Sequence, residues 1–584
     1  MKWSILKISW GPILVLFSLI LFHLFLISKT FSIDERGNMR AASAGYGDIP
    51  FHMTEVSKFA FEKKFDFNEP IFNGERMRYS FLINLISGVL LHFSQRWYMA
   101  MQLPAMIFMT LATVFTFVIY KKFLKSSWAA VIAVVVFLFG AGFGANWHIQ
   151  NYLANYANHS LGGFINYLVN NTASTITKYD AVFPQQNITW GAPLSLVFLH
   201  QRSFFFGIFN FALFVYVLEK WLKSPKNNAW TIMLGILVGV SPLGHFHTFI
   251  AMGLTLLVTG TAAIIQKNLQ LIKRLALLAV IIFLMSIPQI IYLVAGNTSA
   301  ITQGSFLKFR FGWMVEPTIG SIKFDAHSGL FGGSILPFFN FLLLNFGVIL
   351  PIFVMGGILI AFGRRSFKQQ FNDISWWWFC GAAMFLAVQL IRFQPWDYDN
   401  NKILVYFQFF AAPVFVAFFV WILKNRKILG SILFFIFLTL ATYSGFIDQI
   451  PRFLVPFDKL PIIFDTDAIA ASNFVKNNIA EGQNIITSST HLNPVSSLAG
   501  RPVLVGYPGW LWTRGISYGK REQDLKLFYS DPVSWKFIAD SYEGKYAVID
   551  PAAMVDWHAA RGTFDDNFML VYQNSKYKIY KLGI

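Results

Sequence analysis

The chain is poor in cysteine, in charge, and above all in acids. Cysteine occurs once in 584 residues, at Cys380, which excludes intrachain disulfides and cysteine-rich metal centres. Charged residues make up 13% of the chain and hydrophobic ones 55%, with a mean hydropathy of +0.52. That balance excludes an ordinary soluble globular protein and describes a polytopic membrane protein. Acids number 29 against 47 basic residues, a formal net charge of +18. In a soluble protein such an excess would point to nucleic acid. Here the basic residues lie in short loops between apolar runs, so the excess reads as topology and no nucleic-acid partner is expected.

What is present is aromatic and apolar. Phe (65) and Trp (18) are abundant, as expected where rings pack in lipid and anchor at its interfaces. A span needs about 20 apolar residues, and about eleven such runs can be read: 9–31, 99–120, 128–147, 204–222, 229–243, 248–266, 275–296, 346–363, 375–391, 403–423 and 428–447. Basic clusters at Lys2 and Lys7, Lys121–Lys125, Lys220–Lys226, Lys267–Arg274, Arg364–Lys368 and Lys424–Lys427 then share one side, which the positive-inside rule makes cytoplasmic. The N-terminal run is too long for a signal-peptide core and no small-residue cleavage site follows it, so it reads as the first span with a cytoplasmic N-terminus. Residues 80–94, "SFLINLISGVLLHFS", are apolar but short. A span there would put Lys121–Lys125 outside, so an interfacial or re-entrant helix is expected.

The expected architecture is a transmembrane domain over 1–447, with its first external loop at 32–98, and a small external α/β domain over 448–584. The other external parts are 148–203, 297–345 and 392–402. In the tail, "TDAIAASNFVKNNI" has helical spacing behind Asp465 and Asp467 as N-caps. "NIITSS", "PVLVGY" and "YAVID" read as short buried strands, and "FMLVYQNSKYKIYKL" as a hairpin around Asn574-Ser575.

The spans carry almost no charge, which counts against ion-coupled transport or a flippase route through the bilayer. The polar chemistry gathers in the external loops. In "GDIPFHMTEVSKFAFE" (47–62), a helix would align Asp48, His52, Glu55, Phe59 and Glu62 on one edge, beside an apolar stripe of Ile49, Met53, Val56 and Ala60. Asp48 before Pro50 is good N-cap chemistry; it also suits a general base, with His52 and Glu55 in support. Arg76 and Arg78 of "GERMRYS" can anchor to headgroups or clamp a phosphate, and Arg202 of "HQRSF" poses the same alternative. "SPLGHFHTF" is a tight turn presenting His245 and His247, able to meet a phosphate or a metal, although nothing supports zinc spacing. "FQPWDYDNNKIL" concentrates Asp397, Asp399, Asn400 and Lys402. The two acids there are candidate ligands for a divalent cation (Mg or Mn), the one cofactor considered. In the tail, His491, Arg501, Tyr507, Trp510, Trp512 and Arg514 combine aromatics and arginine, suiting sugar stacking, a membrane interface, or a domain core docked on the membrane part.

An acidic residue in a large first external loop, interfacial helices, about eleven spans and an external C-terminal α/β domain together resemble the GT-C glycosyltransferases. That superfamily includes protein mannosyltransferases, aminoarabinose transferases of lipid A and oligosaccharyltransferases. The stretches "YGDIPFH", "GERMRY", "QRSF", "HFHTF", "DNNK" and "HLNPVSSLAGR…GYPGW" are similar to those of large prokaryotic membrane proteins assigned to it. The resemblance implies a polyprenyl-phosphate-linked sugar as donor, a glycan, lipid or protein as acceptor, and a site at the outer face of the plasma (inner) membrane. It implies inverting transfer with Asp48 as base. Asp34-Glu35 is the competing match, because many members show an adjacent Asp-Glu pair after the first span; Asp48 is preferred because it begins a helix carrying further polar residues. Arg202, His245, His247 and Lys402, then Arg76 and Arg78, would meet the donor phosphate. His491, Arg501, Tyr507, Trp510 and Trp512 would shape the acceptor site. "GYPGW" lacks the Asp of the oligosaccharyltransferase Trp-Trp-Asp-Tyr-Gly motif, so sequon recognition does not carry over. The rival readings are an oligosaccharide or ligase-type transferase and a non-catalytic polyprenyl-phosphate-binding protein or flippase subunit.

Overall fold

Apolar runs of this length can satisfy their backbone only as helices once they leave water, and the computed structural model is mostly helical. It describes residues 10–42, 45–157, 159–170, 188–199, 201–294, 307–309, 312–313, 336–362, 365–371, 373–394, 396–559 and 561–583. His200, residues 171–187 and most of the expected loop 297–345 lie outside the described residues.

Among the described residues, seven helices are long and apolar enough to cross a bilayer: Trp10–Thr30, Trp97–Leu124, Arg202–Lys223, Phe246–Ile265, Leu269–Leu293, Tyr398–Asn425 and Lys427–Leu454. The run expected at 346–363 coincides with a pair of helices, Phe338–Phe346 and Ile349–Ala361, bent by 104°. The three remaining runs form shorter apolar helices, Ser127–Phe139, Asn228–Gly244 and Ile374–Leu390. The protein is thus an integral membrane protein.

The chain forms two compact units. The first comprises 1–27, 106–288 and 307–456. Its axis is the helix Asn401–Asn425, apolar on every side and therefore enclosed by others. Two polar contacts hold it to its neighbours: Gln408 donates to the Val136 carbonyl at 3.0 Å, and Tyr120 donates to the Phe409 carbonyl at 2.6 Å. Helix Lys427–Leu454 passes the end of Ser127–Phe139 so closely that a Cβ at Gly445 would lie 2.0 Å from the Phe139 carbonyl oxygen. Gly445→Ala should therefore destabilise by about 1–3 kcal/mol. Gly253→Ala, where nothing lies within 4 Å, should be neutral or slightly stabilising. Melting temperatures of the two variants in detergent check this.

The second unit comprises 28–105, 289–306 and 457–584, so the first loop and the tail fold together. Strand Met39–Ala41 pairs with Phe31–Ile33 on one side and Ile462–Phe464 on the other, antiparallel to both. A four-stranded sheet orders Asn484–Ile486, Gly544–Ile549, Lys578–Lys581 and Met569–Gln573. Its first pair is parallel and the rest antiparallel, which places the expected hairpin around Asn574-Ser575. Helix Thr466–Asn478 begins as the sequence suggests: the Asp465 carboxylate accepts from the Ala468 N–H at 2.9 Å. "PVLVGY" is not a strand. Val503, Leu504 and Val505 are buried, but its ladder is limited to a bridge between Ile485 and Val503, and the chain turns into the helix Pro508–Thr513. Residues 82–94 form a 13-residue helix packed on Ile49–Phe61; it falls short of a span.

Candidate functional site

The helix Ile49–Phe61 starts with Asp48 in the N-cap position and Pro50 in the first turn. The Asp48 side chain is half-buried and makes no cap hydrogen bond, so capping does not account for it. Every residue from Ile49 to Lys58 is buried, because Leu82–Ser94 covers one face and the tail's Pro494–Ser497 turn another, where Ser57 Oγ donates to the Ser496 carbonyl at 2.9 Å. The polar edge consequently turns inward onto partners. Asn84 Nδ2 contacts His52 Nδ1 at 2.9 Å and donates to Glu55 Oε2 at 2.6 Å. Burial raises the Glu55 carboxyl to about 8, with Glu69 adding to the effect and Arg514 and the Asn84 bond opposing it. Glu62 and Asp66 share the buried Lys58 ammonium.

Beside the first turn of this helix runs a chain of rings. Tyr46 packs on His491 (5.0 Å between centroids), His491 on Tyr507 (5.6 Å), Tyr507 on Trp510 (5.3 Å) and Trp510 on Phe51 (5.4 Å). Tyr507 is 40% exposed, so this wall has an open face. Trp512 is exposed as well. Burial lowers the His491 pKa below its usual range, so that imidazole is neutral at pH 7. Arg501 does not join the wall. Its guanidinium donates to the carbonyls of Lys476 and Ile479, both at 3.2 Å, and closes the end of the Thr466–Asn478 helix.

Asp34 sits in the turn between the strands Phe31–Ile33 and Met39–Ala41. Its carboxylate accepts from the backbone N–H of Arg36 and Asn38, from Asn38 Nδ2 and from Arg40 Nε, at 2.8 to 3.0 Å. The Asn38 amide is the largest influence holding its pKa down at about 2; desolvation opposes it, and Arg40 and the two backbone N–H groups add to it. These bonds make Asp34 the organiser of its hairpin. Glu35 is exposed in the same turn, as is Arg76 in its own loop, while Arg78 pairs with Glu75 at 3.0 Å.

In the first unit, the turn between Asn228–Gly239 and Phe246–Ile265 brings His245 and His247 together, ring centroids 5.5 Å apart and both buried. His245 Nδ1 hydrogen-bonds Thr248 Oγ1 at 2.8 Å, and Thr248 Oγ1 bonds the Tyr406 hydroxyl. A Cβ at Gly207 would lie 2.5 Å from that Thr248 oxygen and 2.8 Å from that His245 nitrogen; glycine makes room for the pair. Lys402 is close enough to act electrostatically on both imidazoles and pairs with Asp399 at 3.1 Å. Arg202 is buried at the start of its helix. The Asp399 carboxylate is thus matched to an ammonium, the Asp397 side chain lies outside the described residues, and among the described residues no group of three His, Cys, Asp or Glu is placed to share an ion.

No protein-family model matches the sequence, and no curated protein matches it. Solved structures do. The apo oligosaccharyltransferase of Archaeoglobus fulgidus is 12% identical over 98% of this chain and 74% of that one, with a TM-score of 0.49. ArnT from Cupriavidus metallidurans bound to undecaprenyl phosphate is 10% identical over 98% of each chain, with a TM-score of 0.46. The Archaeoglobus fulgidus enzyme AglB in complex with an inhibitory peptide and a dolichol-phosphate is 13% identical over 96% of this chain and 73% of that one, with a TM-score of 0.42.

Sequence reasoning missed Asn84, Glu69, Phe51, Tyr79 and Tyr46 as members of this site. Asn84 carried a signal: a polar residue in an apolar 13-residue helix is fully buried, and a buried amide needs partners. Glu69 carried none, since its partner Arg514 lies 445 residues away.

Proposed function

We propose that the protein is a membrane glycosyltransferase of GT-C type, moving a sugar from a polyprenyl-phosphate carrier to an acceptor at the outer face of the plasma membrane, with its N-terminus cytoplasmic and its tail external. The observation that carries this reading is the half-buried Asp48, two residues after Tyr46 and three before Phe51, the two first-loop rings that join the wall of His491, Tyr507 and Trp510. Aromatic faces suit the apolar face of a sugar ring, and a carboxylate at their edge suits a general base. In the proposed step an acceptor oxygen attacks the anomeric carbon and forms the new glycosidic bond. The bond from that carbon to the phosphate oxygen breaks, its electron pair leaves with the polyprenyl phosphate, and the acceptor's proton passes to Asp48. A single displacement of this kind inverts the anomeric configuration. Charge developing on the phosphate calls for cationic donors; Arg76 and Arg78, in the same unit as Asp48, have that chemistry.

Titrating the purified full chain in detergent with short-chain polyprenyl-phosphate sugars, read by tryptophan fluorescence, tests the donor assignment. Saturable binding that polyprenyl alcohol does not reproduce is expected. Equal response to the alcohol, or none to either, contradicts it.

A further inference from the structure

Three separated stretches of the second unit meet on one guanidinium. Arg514 is the C-cap residue of the helix Pro508–Thr513. Its Nη1 donates to Glu69 Oε2 at 2.8 Å, and the two side chains are 5% and 0% exposed. Its Cζ lies 3.9 Å from the centre of the Phe51 ring and 5.2 Å from that of Tyr79. Trp510, one helical turn earlier, packs on the same Phe51 ring. Phe51 lies in the first turn of the helix Ile49–Phe61, three residues after Asp48.

Stability alone does not explain a charged pair this deep. Taking both ions out of water costs about as much as their attraction returns, and apolar side chains of similar volume are often at least as stable. What the pair supplies is direction. A planar guanidinium bonded at its edge and stacked on its face has one orientation, so the Phe51 turn has one position against the Glu69 loop. We infer that Arg514 is a positioning residue for Asp48: the tail, through the Arg514–Glu69 pair and the Phe51 ring, sets where the first loop's carboxylate points. The inference rests on the assignment of Asp48 as the base. Arg514 itself touches no reacting atom.

The test uses the full chain in detergent with two variants, the double replacement Glu69→Leu/Arg514→Met and the single Arg514→Lys. Melting temperature, amide hydrogen exchange over residues 52–58 and steady-state turnover of a polyprenyl-phosphate sugar are measured on each. The double replacement strands no charge, so its melting temperature stays near wild type. Exchange at 52–58 quickens by about tenfold or more, and kcat falls by about tenfold or more with KM for the donor unchanged, because a small misplacement of a reacting group is costly. Arg514→Lys keeps the charge but loses the fork and the stack, and shows the same two changes. Unchanged exchange and kcat in a variant that melts normally overturn the inference. Exchange that rises evenly along the whole chain, with kcat falling only as the folded fraction does, also overturns it by making Arg514 merely structural. If the wild type turns over no such sugar, the proposed reaction fails, and exchange at 52–58 still decides whether Arg514 holds this turn.

Discussion

Asp48→Asn lowers release of polyprenyl phosphate by about 10²–10⁴-fold, the range a general base contributes, and leaves the fold as it was. Asn keeps the size of the side chain and removes its basicity. The side chain is half-buried and Asn matches it in volume and in its accepting oxygen, so the change in stability stays within about 1 kcal/mol. Asp34→Asn gives the opposite pattern. Its carboxylate holds the turn between Phe31–Ile33 and Met39–Ala41 through four hydrogen bonds, one from Arg40. Replacing it lowers the melting temperature and leaves kcat per folded molecule unchanged. Turnover and melting temperature measured on both variants separate the two competing carboxylates. A silent Asp48→Asn together with an inactive, normally melting Asp34→Asn would reverse the assignment.

Glu55→Gln makes the protein more stable than wild type at pH 8 and about equal to it near pH 5. The Glu55 carboxyl is fully buried, bonded to Asn84 and near both Glu69 and Arg514. Burial raises its pKa from the usual 4.5 to about 8. Between those values the folded chain holds a proton that the unfolded chain has released. The stabilisation is therefore complete below about 4.5 and is lost as pH rises towards 8, at up to about 1.4 kcal/mol per pH unit. Above 8 both states are ionised and the slope disappears. A glutamine has the shape of the protonated acid without the titration, so the difference between variant and wild type grows from pH 5 to pH 8. Melting curves of both proteins across that window check this. A variant less stable than wild type throughout would mean that Glu55 is ionised and serves as a counter-ion to Arg514.

Local signals were legible in the sequence and distant ones were not. The cap at Asp465 and the turn at Asn574-Ser575 were readable because the residues that make them are neighbours in the chain. The two faces of Ile49–Phe61 were readable from period alone. What covers the polar face was not, because the covering elements, Leu82–Ser94 and Pro494–Ser497, come from different stretches of chain. "PVLVGY" shows the same limit. An apolar run says that a segment is buried, whereas strand pairing depends on a partner, and that partner extends only to the Ile485–Val503 bridge. Arg501 and Arg514 lie 13 positions apart in one aromatic-rich segment, yet one closes a helix end and the other grips Glu69. Nothing local distinguishes them.

The central claim is that Asp48 drives transfer of a sugar from a polyprenyl-phosphate carrier. Its most direct test is mass spectrometry of polyprenyl phosphate released from a short-chain polyprenyl-phosphate sugar, with purified wild type and Asp48→Asn assayed side by side in the presence of candidate acceptors. The account predicts release by the wild type that the Asp48→Asn substitution removes. Equal release by both proteins would contradict it.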